Sequence, residues 1–251
     1  MGATIGSGIF RVPSTVAGAA GSVEIVALLW LIGAAITLFG ALTIAELAAM
    51  YPSAGGLYVY LREAYGPLPA FLFGWTRLLV IQPTILGAIA LIFAAYASAI
   101  VPVGDYGQRA VAGGLLAVIA AANVRSVGWG AMIQNVSTGA KVLALLVLSG
   151  LAFALGDGSG GALLAGERLV VATPWAAAGA ALVAILWTYD GWVEVSSIAG
   201  EVRDPGRALP RALFRGTLTV VAVYLVVNGA YLWVLPLDAM AASSLVAADA
   251  A

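Results

Sequence analysis

Apolar residues run along this chain in blocks of about 20, the length that spans a hydrocarbon core. Ile25–Ala45 is free of charge. Leu78–Val103 follows, with Pro83 predicting a kink near its start. Ala110–Val124 is shorter and needs its flanks to span. Ser126–Gly156 is long and carries Lys141 near its middle. Trp175–Gly200 is apolar except for Asp190 and Glu194, and Gly216–Leu237 is uncharged. With the shorter Ile9–Ala20, the pattern predicts seven membrane helices. Pro52-Ser53-Ala54-Gly55-Gly56 closes the second segment, and Gly156–Gly161 reads as a flexible linker.

Two of these blocks are interrupted. Ile5-Gly6-Ser7-Gly8-Ile9-Phe10 places two glycines and a serine where an apolar helix should be continuous. Trp187-Thr188-Tyr189-Asp190-Gly191-Trp192 breaks the sixth segment. In lipid every backbone N–H and C=O needs a partner, so a broken helix is tolerated only where it faces protein, ligand or water. Two such breaks far apart in the chain point to a midplane binding site. Small residues also permit close helix packing with no ligand, and Gly2 and Gly6 form a GxxxG. A compact Gly-Ser-Gly cluster nevertheless lowers helix propensity and frees N–H groups. Those donors and the dipole of the following half-helix favour an anion such as a carboxylate. Carbonyls before the break suit an ammonium, and together they suit an α-amino acid zwitterion.

Composition narrows the class. The chain is 63% hydrophobic and 9% charged, against about 25% charged in soluble domains. It must therefore sit in a bilayer. A net charge of −1 supplies no basic field for nucleic acid. There is no cysteine and no histidine, which removes disulfides, thiolate metal sites and histidine-based triads. No metal site and no cofactor is implied. A membrane enzyme using Ser7 with Lys141 is the rival of another class, and it lacks an evident second acid–base partner. The GxGxG pattern in the linker follows a membrane helix rather than a strand, which excludes a dinucleotide loop. The chain opens directly on its first break and ends in a small-residue tail, Met240–Ala251. We therefore expect a longer parent chain at both ends.

Arg203, Arg207, Arg211 and Arg215 cluster between the sixth and seventh segments. Placing that loop in the cytoplasm puts Arg62 and Arg125 inside as well, with Arg109 and Arg168 outside. The first helix then runs from inside to outside. The cluster reads as an anchor on anionic head groups, or as a gate pairing with acidic residues in one conformation.

Lys141 is the sharpest single residue. An interface lies about 20 Å away along the helix, too far for a lysine stem to snorkel. The ammonium is expected in the bundle interior, with unwound carbonyls of the first segment as partners. Asp190 and Glu194 would share a face of an intact helix, where burial and like charge would favour protonation of one. Asp190 reads equally as a cap for the half-helix after the break. Glu46 and Glu201 read as structural partners for nearby arginines. Trp187, Tyr189 and Trp192 either line a pocket or pack between helices.

These residues resemble a known family, the amino acid–polyamine–organocation transporters, and look closest to the L-type amino acid transporters and their bacterial relatives. IGSGIF at 5–10 is similar to that family's first-helix motif. AELAAMYPSAGGLYVYLREAYGPLPAFLFGW at 45–75 resembles its second-to-third helix region. NVRSVGWGAMIQNVSTGAKVLAL at 123–145 resembles the junction of its fourth and fifth helices. YDGW at 189–192 and EVRDPGRALPRAL at 201–213 resemble its sixth helix and the loop that follows.

The resemblance implies an all-α integral membrane protein with a LeuT-type inverted-repeat fold, built from about a dozen helices in two five-helix repeats. Residues 1–156 would form the first repeat without the inner half of its first helix, and 169–251 the start of the second. Within this single transporter domain, Gly6, Ser7 and Gly8, beside Ile9, would offer N–H groups to a substrate carboxylate. Carbonyls near Ile5 and around Trp187, Thr188, Tyr189 and Asp190 would take the amine. Trp187 would gate the pocket, with Asp190 and Glu194 available for coupling. Lys141 would stand where sodium-coupled relatives hold sodium. The implied protein is a secondary amino acid permease of the bacterial plasma membrane, sodium-independent and working by proton symport or exchange. A polyamine or cationic amino acid antiporter, and a non-transporting sensor or fragment, are the alternatives. Its partners would be the amino acid and the lipid bilayer, with a partner subunit left open.

Overall fold

A computed structural model describes residues 2–125, 127–156, 158, 162–165 and 174–250. Apart from Gly156 and Gly158, the expected linker lies outside the described residues, as does Arg168. Helix α1 spans Gly8–Ala20 and stops at Gly21, whose φ of 70° lets its N–H reach back to the Ala17 carbonyl. Helix α2 runs Val23–Met50, capped by the Ser22 side chain on the Ile25 N–H. Its 28 residues give a rod of about 42 Å, more than the hydrocarbon thickness of about 30 Å.

Next come α3 (Leu57–Tyr65) and α4 (Pro67–Thr76), a π-helical turn at Arg77–Ile81, α5 (Gln82–Ile100), α6 (Asp105–Arg125) and α7 (Val127–Leu155). The kink expected at Pro83 appears as that π turn, in which the Gln82 N–H bonds the Arg77 carbonyl. Proline cannot donate to the carbonyl four residues back, and one wider turn upstream absorbs the mismatch. The short α8 (Ala162–Ala165) precedes α9 (Pro174–Tyr189), a 3-10 helix at Trp192–Glu201, α10 (Pro205–Val234), α11 (Leu237–Ala242) and α12 (Val246–Asp249).

Among the described residues, six helices are long and apolar enough to cross a membrane: Val23–Met50, Pro67–Ser98, Asp105–Val124, Met132–Leu155, Trp175–Glu201 and Pro205–Val234. With the 13-residue α1 they match the seven segments of the hydrophobic pattern.

The described residues form two compact units. One comprises residues 1–56 with 138–251, the other 57–137. In the second unit, α5 and α6 meet through a small-residue cluster of Ala90, Ala94 and Ala112. The Tyr58 ring there lies against Gly74, 3.3 Å from where a Cβ would sit.

In the first unit, α2 packs against α9 and α10, and α1 against α9 and α11. The buried stripe of α2 reads Val26, Trp30, Ala34, Thr37, Ala41, Ala45 and Ala48, one contact per helical turn. Lipid gives apolar side chains no water to escape, so such helices associate by close van der Waals fit and small residues. Gly33 is the clearest instance, because a Cβ there would collide with Ile185 of α9. The opposite face of α2, with Leu28, Leu31, Ile36 and Phe39, is exposed and suits acyl chains. The small-residue tail is packed: Met240 and Val246, with Leu237 just before it, are fully buried in the core with Ile9 and Val16 of α1.

Candidate functional site

The two breaks touch. Residues 2–7 are non-helical, and α1 begins at Gly8. The second break is narrower than the sequence suggests. Trp187, Thr188 and Tyr189 still belong to α9, and only Asp190 and Gly191 depart from the helix before the 3-10 segment. Gly191 has φ 101°, a conformation that only glycine adopts readily. A Cβ there would lie 2.9 Å from the Ala3 carbonyl carbon, so the second break rests on the backbone of the first. Gly8 makes the reciprocal approach, with Thr188 Oγ1 2.7 Å from its would-be Cβ.

Two side chains hold the first break open from different helices. The Lys141 ammonium, at the middle of α7, donates to the Ile5 carbonyl at 2.6 Å and to the Gly2 carbonyl at 3.4 Å. Tyr224 of α10 donates its hydroxyl to the Thr4 carbonyl at 2.8 Å, which also accepts the Gly6 N–H at 2.8 Å. Beneath lies an aromatic triad. The Trp30 ring meets Tyr189 edge-on at 5.7 Å and Tyr224 edge-on at 6.3 Å, and the two tyrosines lie 5.3 Å apart. Trp30 Nε1 and the Tyr189 hydroxyl are buried without a hydrogen-bond partner among the described residues.

These bonds change several expectations. The Gly6 N–H is engaged within the break, so the donors at the start of α1 are those of Ser7, Gly8 and Ile9. A helix start leaves such groups without intrahelical partners, and none bonds them among the described residues. Gly6 and Ser7 are half-buried, whereas Ile5, Gly8 and Ile9 are buried, so the break is reached from its Gly6–Ser7 side. Ser7 occupies the cap position of α1 but makes no side-chain capping bond. The Ile5 carbonyl carries the Lys141 ammonium, and the Trp187 carbonyl accepts the Asp190 N–H at 3.2 Å. No bond joins Lys141 to Ser7 among the described residues, leaving a Ser–Lys catalytic pair without geometric support.

Asp190 does not cap the second half-helix. Gly191 holds that position, with no side-chain bond, and Asp190 is exposed. Nor do Asp190 and Glu194 share an intact helical face, because Gly191 interrupts it. Trp187 is 43% exposed, while Thr188 is buried against Gly8 and Tyr189 within the aromatic triad. Thr188 bonds its own helix through the Ala184 carbonyl at 2.8 Å. Trp192 packs over Gly40 of α2, 3.1 Å from where a Cβ would sit. Glu46 and Glu201 are exposed and make no ion pair among the described residues, where Arg62 pairs instead with its neighbour Glu63 at 3.1 Å.

On the side of the arginine-rich loop, a cavity of about 460 Å³ begins at the junction of the breaks. Thr4 and Gly191 line it where the breaks meet, with Glu194, Arg211, Arg215 and Thr217 also in its lining. Sequence reasoning passed over Trp30, Tyr224 and Thr217. Their one signal was a polar handle placed on an apolar helix.

A family model described as amino acid permease matches residues 1–250. The serine/threonine exchanger SteT of Bacillus subtilis is 33% identical over 94% of this chain and 52% of its own length. The human b(0,+)-type amino acid transporter 1 is 36% identical over 98% of this chain and 52% of its own. The human large neutral amino acids transporter small subunit 2 is 32% identical, over 98% and 48% respectively. The chain thus spans about half the length of these relatives. Paired backbone breaks, membrane-length helices and a match along nearly all its residues have one reading: this is an integral, multi-pass membrane protein that belongs to the amino acid permease family, within the superfamily that includes the L-type transporters.

Proposed function

We propose that this protein carries amino acids across a lipid bilayer by alternating access, with the zwitterion held where the two breaks meet. The observation that carries the reading is the direct packing of the breaks, Gly8 on Thr188 and Gly191 on Ala3. The substrate carboxylate takes the N–H groups of Ser7 and Gly8, with Ile9 deeper, helped by the positive end of the α1 dipole. Its ammonium takes the last carbonyls of α9, at Thr188 and Tyr189, which a helix end leaves without intrahelical partners. Trp187, the one exposed aromatic of that turn, covers the bound molecule. The relatives, a serine/threonine exchanger and two amino acid transporters, support this substrate class.

Transport is sodium-independent in this reading, because the Lys141 ammonium already supplies a fixed cation to the first break. Coupling is by exchange, with proton symport through Asp190 or Glu194 as the other route. The arginine-rich loop faces the cytoplasm of a bacterial plasma membrane, following the bias of Lys and Arg to that side.

Thermal unfolding of the purified protein in detergent tests the binding site. An amino acid at about 100 times its Kd stabilises the fold by roughly 2.7 kcal/mol. The stabilisation should persist in sodium-free buffer and disappear when the amino or carboxylate group of the ligand is removed. No stabilisation by any of the twenty common amino acids would overturn the proposed site. In sodium-free proteoliposomes, uptake that requires a trans amino acid would assign exchange, and pH-driven uptake without one would assign symport.

A further inference from the structure

Of the aromatic triad, Trp30 alone stands on a helix that carries neither a break nor a tether to one. Its indole meets the Tyr189 ring edge-on at 5.7 Å and the Tyr224 ring edge-on at 6.3 Å. Each tyrosine leads to a different break. Tyr189 is the last residue of α9, and the Asp190 N–H after it turns back to the Trp187 carbonyl at 3.2 Å. Tyr224 holds the Thr4 carbonyl through its hydroxyl at 2.8 Å. Trp30 is 1% exposed, and a turn further along α2 a Cβ on Gly33 would collide with Ile185, a turn before Tyr189. This close approach of α2 to α9 keeps the indole against the Tyr189 ring. The indole N–H is buried among atoms of this chain, with no hydrogen-bond partner among the described residues. An unmet buried donor is destabilising, and phenylalanine would carry none. The width of the indole, which reaches two rings at once, is therefore what this position uses.

We propose that Trp30 is a positioning residue that couples the two breaks. Backed by one indole, Tyr189 and Tyr224 keep the end of α9 and the Thr4 carbonyl at a fixed separation. Thr4 in turn holds the Gly6 N–H at 2.8 Å, and so sets the direction in which α1 begins. The N–H groups of Ser7 and Gly8 and the carbonyls of Thr188 and Tyr189 thereby stand at one spacing before a ligand arrives. Less ordering is then left for binding to overcome. The consequence for binding rests on the reading that the breaks hold an amino acid, whereas the coupling of the breaks does not.

Amide hydrogen exchange of the ligand-free protein in detergent tests the coupling. The Gly6 N–H, bonded to Thr4, reports the first break, and the Asp190 N–H, bonded to Trp187, reports the second. Trp30→Phe weakens two ring pairs together, which corresponds to a rise in opening of about tenfold. Both amides should exchange faster by that factor, while those of Ala45 and Ala48, about four turns along α2, stay unchanged. Trp30→Tyr is read in the same way if the phenylalanine variant does not fold. Benzothienylalanine placed at position 30 alone has the width of tryptophan and no N–H. It should restore both rates and melt at or above the wild-type temperature. Tyr224→Phe should speed Gly6, and adding Trp30→Phe should speed it no further, because Trp30 reaches Thr4 only through that hydroxyl. L-Serine, followed by protection of the Ser7 and Gly8 amides, should bind the Trp30→Phe protein about tenfold more weakly.

Acceleration at one break alone, equal acceleration at Ala45 and Ala48, or additive effects at Gly6 would overturn the coupling. So would rates that benzothienylalanine does not restore. Unchanged L-serine affinity in the Trp30→Phe protein would overturn the positioning role. Wild-type protein whose Ser7 and Gly8 amides gain no protection at about 100 mM L-serine, two decades above a millimolar Kd, would instead remove the reading that the breaks bind an amino acid. The coupling, measured without ligand, would still stand.

Discussion

Replacing Lys141 by methionine keeps the length of the side chain and removes its charge and donors. The 2.6 Å bond to Ile5 and the 3.4 Å bond to Gly2 are lost together. A hydrogen bond made by a charged group contributes about 1.5–3 kcal/mol. Ile5 is fully buried, so its carbonyl would be left without a partner. Against this, the variant no longer holds a charge at membrane depth, which is worth about 2.5–3.5 kcal/mol on insertion scales. The two effects nearly cancel for the whole fold, and global melting should move little. They do not cancel locally, because only residues 2–7 lose their tether. A local loss of about 1.5–3 kcal/mol corresponds to a 10- to 150-fold rise in opening, at 1.4 kcal/mol per decade. Amide hydrogen exchange is the assay. The Gly6 N–H, bonded to Thr4, and the Phe10 N–H, bonded to Ser7, are the reporters. Both should exchange faster by that factor while amides in the middle of α2 stay unchanged. Unaltered exchange at Gly6 and Phe10 would refute the idea that Lys141 holds the first break.

Tyr224→Phe removes the buried 2.8 Å bond to Thr4 and should destabilise the protein by about 1–3 kcal/mol in denaturation. Tyr189→Phe removes a hydroxyl with no hydrogen-bond partner among the described residues, so its melting temperature should be unchanged or higher. Gly191→Ala forces a Cβ both into a φ of 101° and against the Ala3 backbone. A loss above about 1 kcal/mol should follow, together with weaker amino acid binding by calorimetry. Gly8→Ala drives Thr188 away at about 1–3 kcal/mol. Adding Thr188→Ala should restore part of that stability, because the clash with the Thr188 Cα remains.

The membrane helices were legible in the sequence because the requirement behind them is one-dimensional. An apolar run must be long enough, and runs such as Ile25–Ala45 and Gly216–Leu237 stand out unaided. Both breaks were legible for the same reason, since glycine clusters oppose helix locally. The exact edge of the second break was not. Trp187, Thr188 and Tyr189 all tolerate helical geometry, and only Gly191 can take the left-handed turn, so the helix continues three residues further than the motif suggests. Lys141 could be assigned to the interior from its distance to either helix end, because a lysine stem has a fixed reach. The Tyr224–Thr4 bond joins positions 220 residues apart. Nothing in the periodicity of α10 distinguishes Tyr224 from any other residue on its buried face. Asp190 misled because capping propensity is a local average, and here the adjacent glycine takes the cap position.

The two breaks are held in different ways, and the difference bears on how a ligand would be bound. The first is fixed by side chains: Lys141 on one helix and Tyr224 on another pull the carbonyls of Ile5 and Thr4 in place. Its N–H groups are thereby aimed before any ligand arrives, which lowers the ordering entropy that binding must overcome. The second has no side-chain cap at Gly191. It keeps its shape through the conformational freedom of that glycine and its contact with Ala3. A contact of this kind resists compression strongly and separation weakly, because dispersion falls off within an ångström or so. The contact between the breaks therefore opens at lower free-energy cost than the side-chain bonds that fix the first. The cavity lined by Glu194, Arg211 and Arg215 already reaches Thr4 of the first break and Gly191 of the second, so parting of the two would widen it.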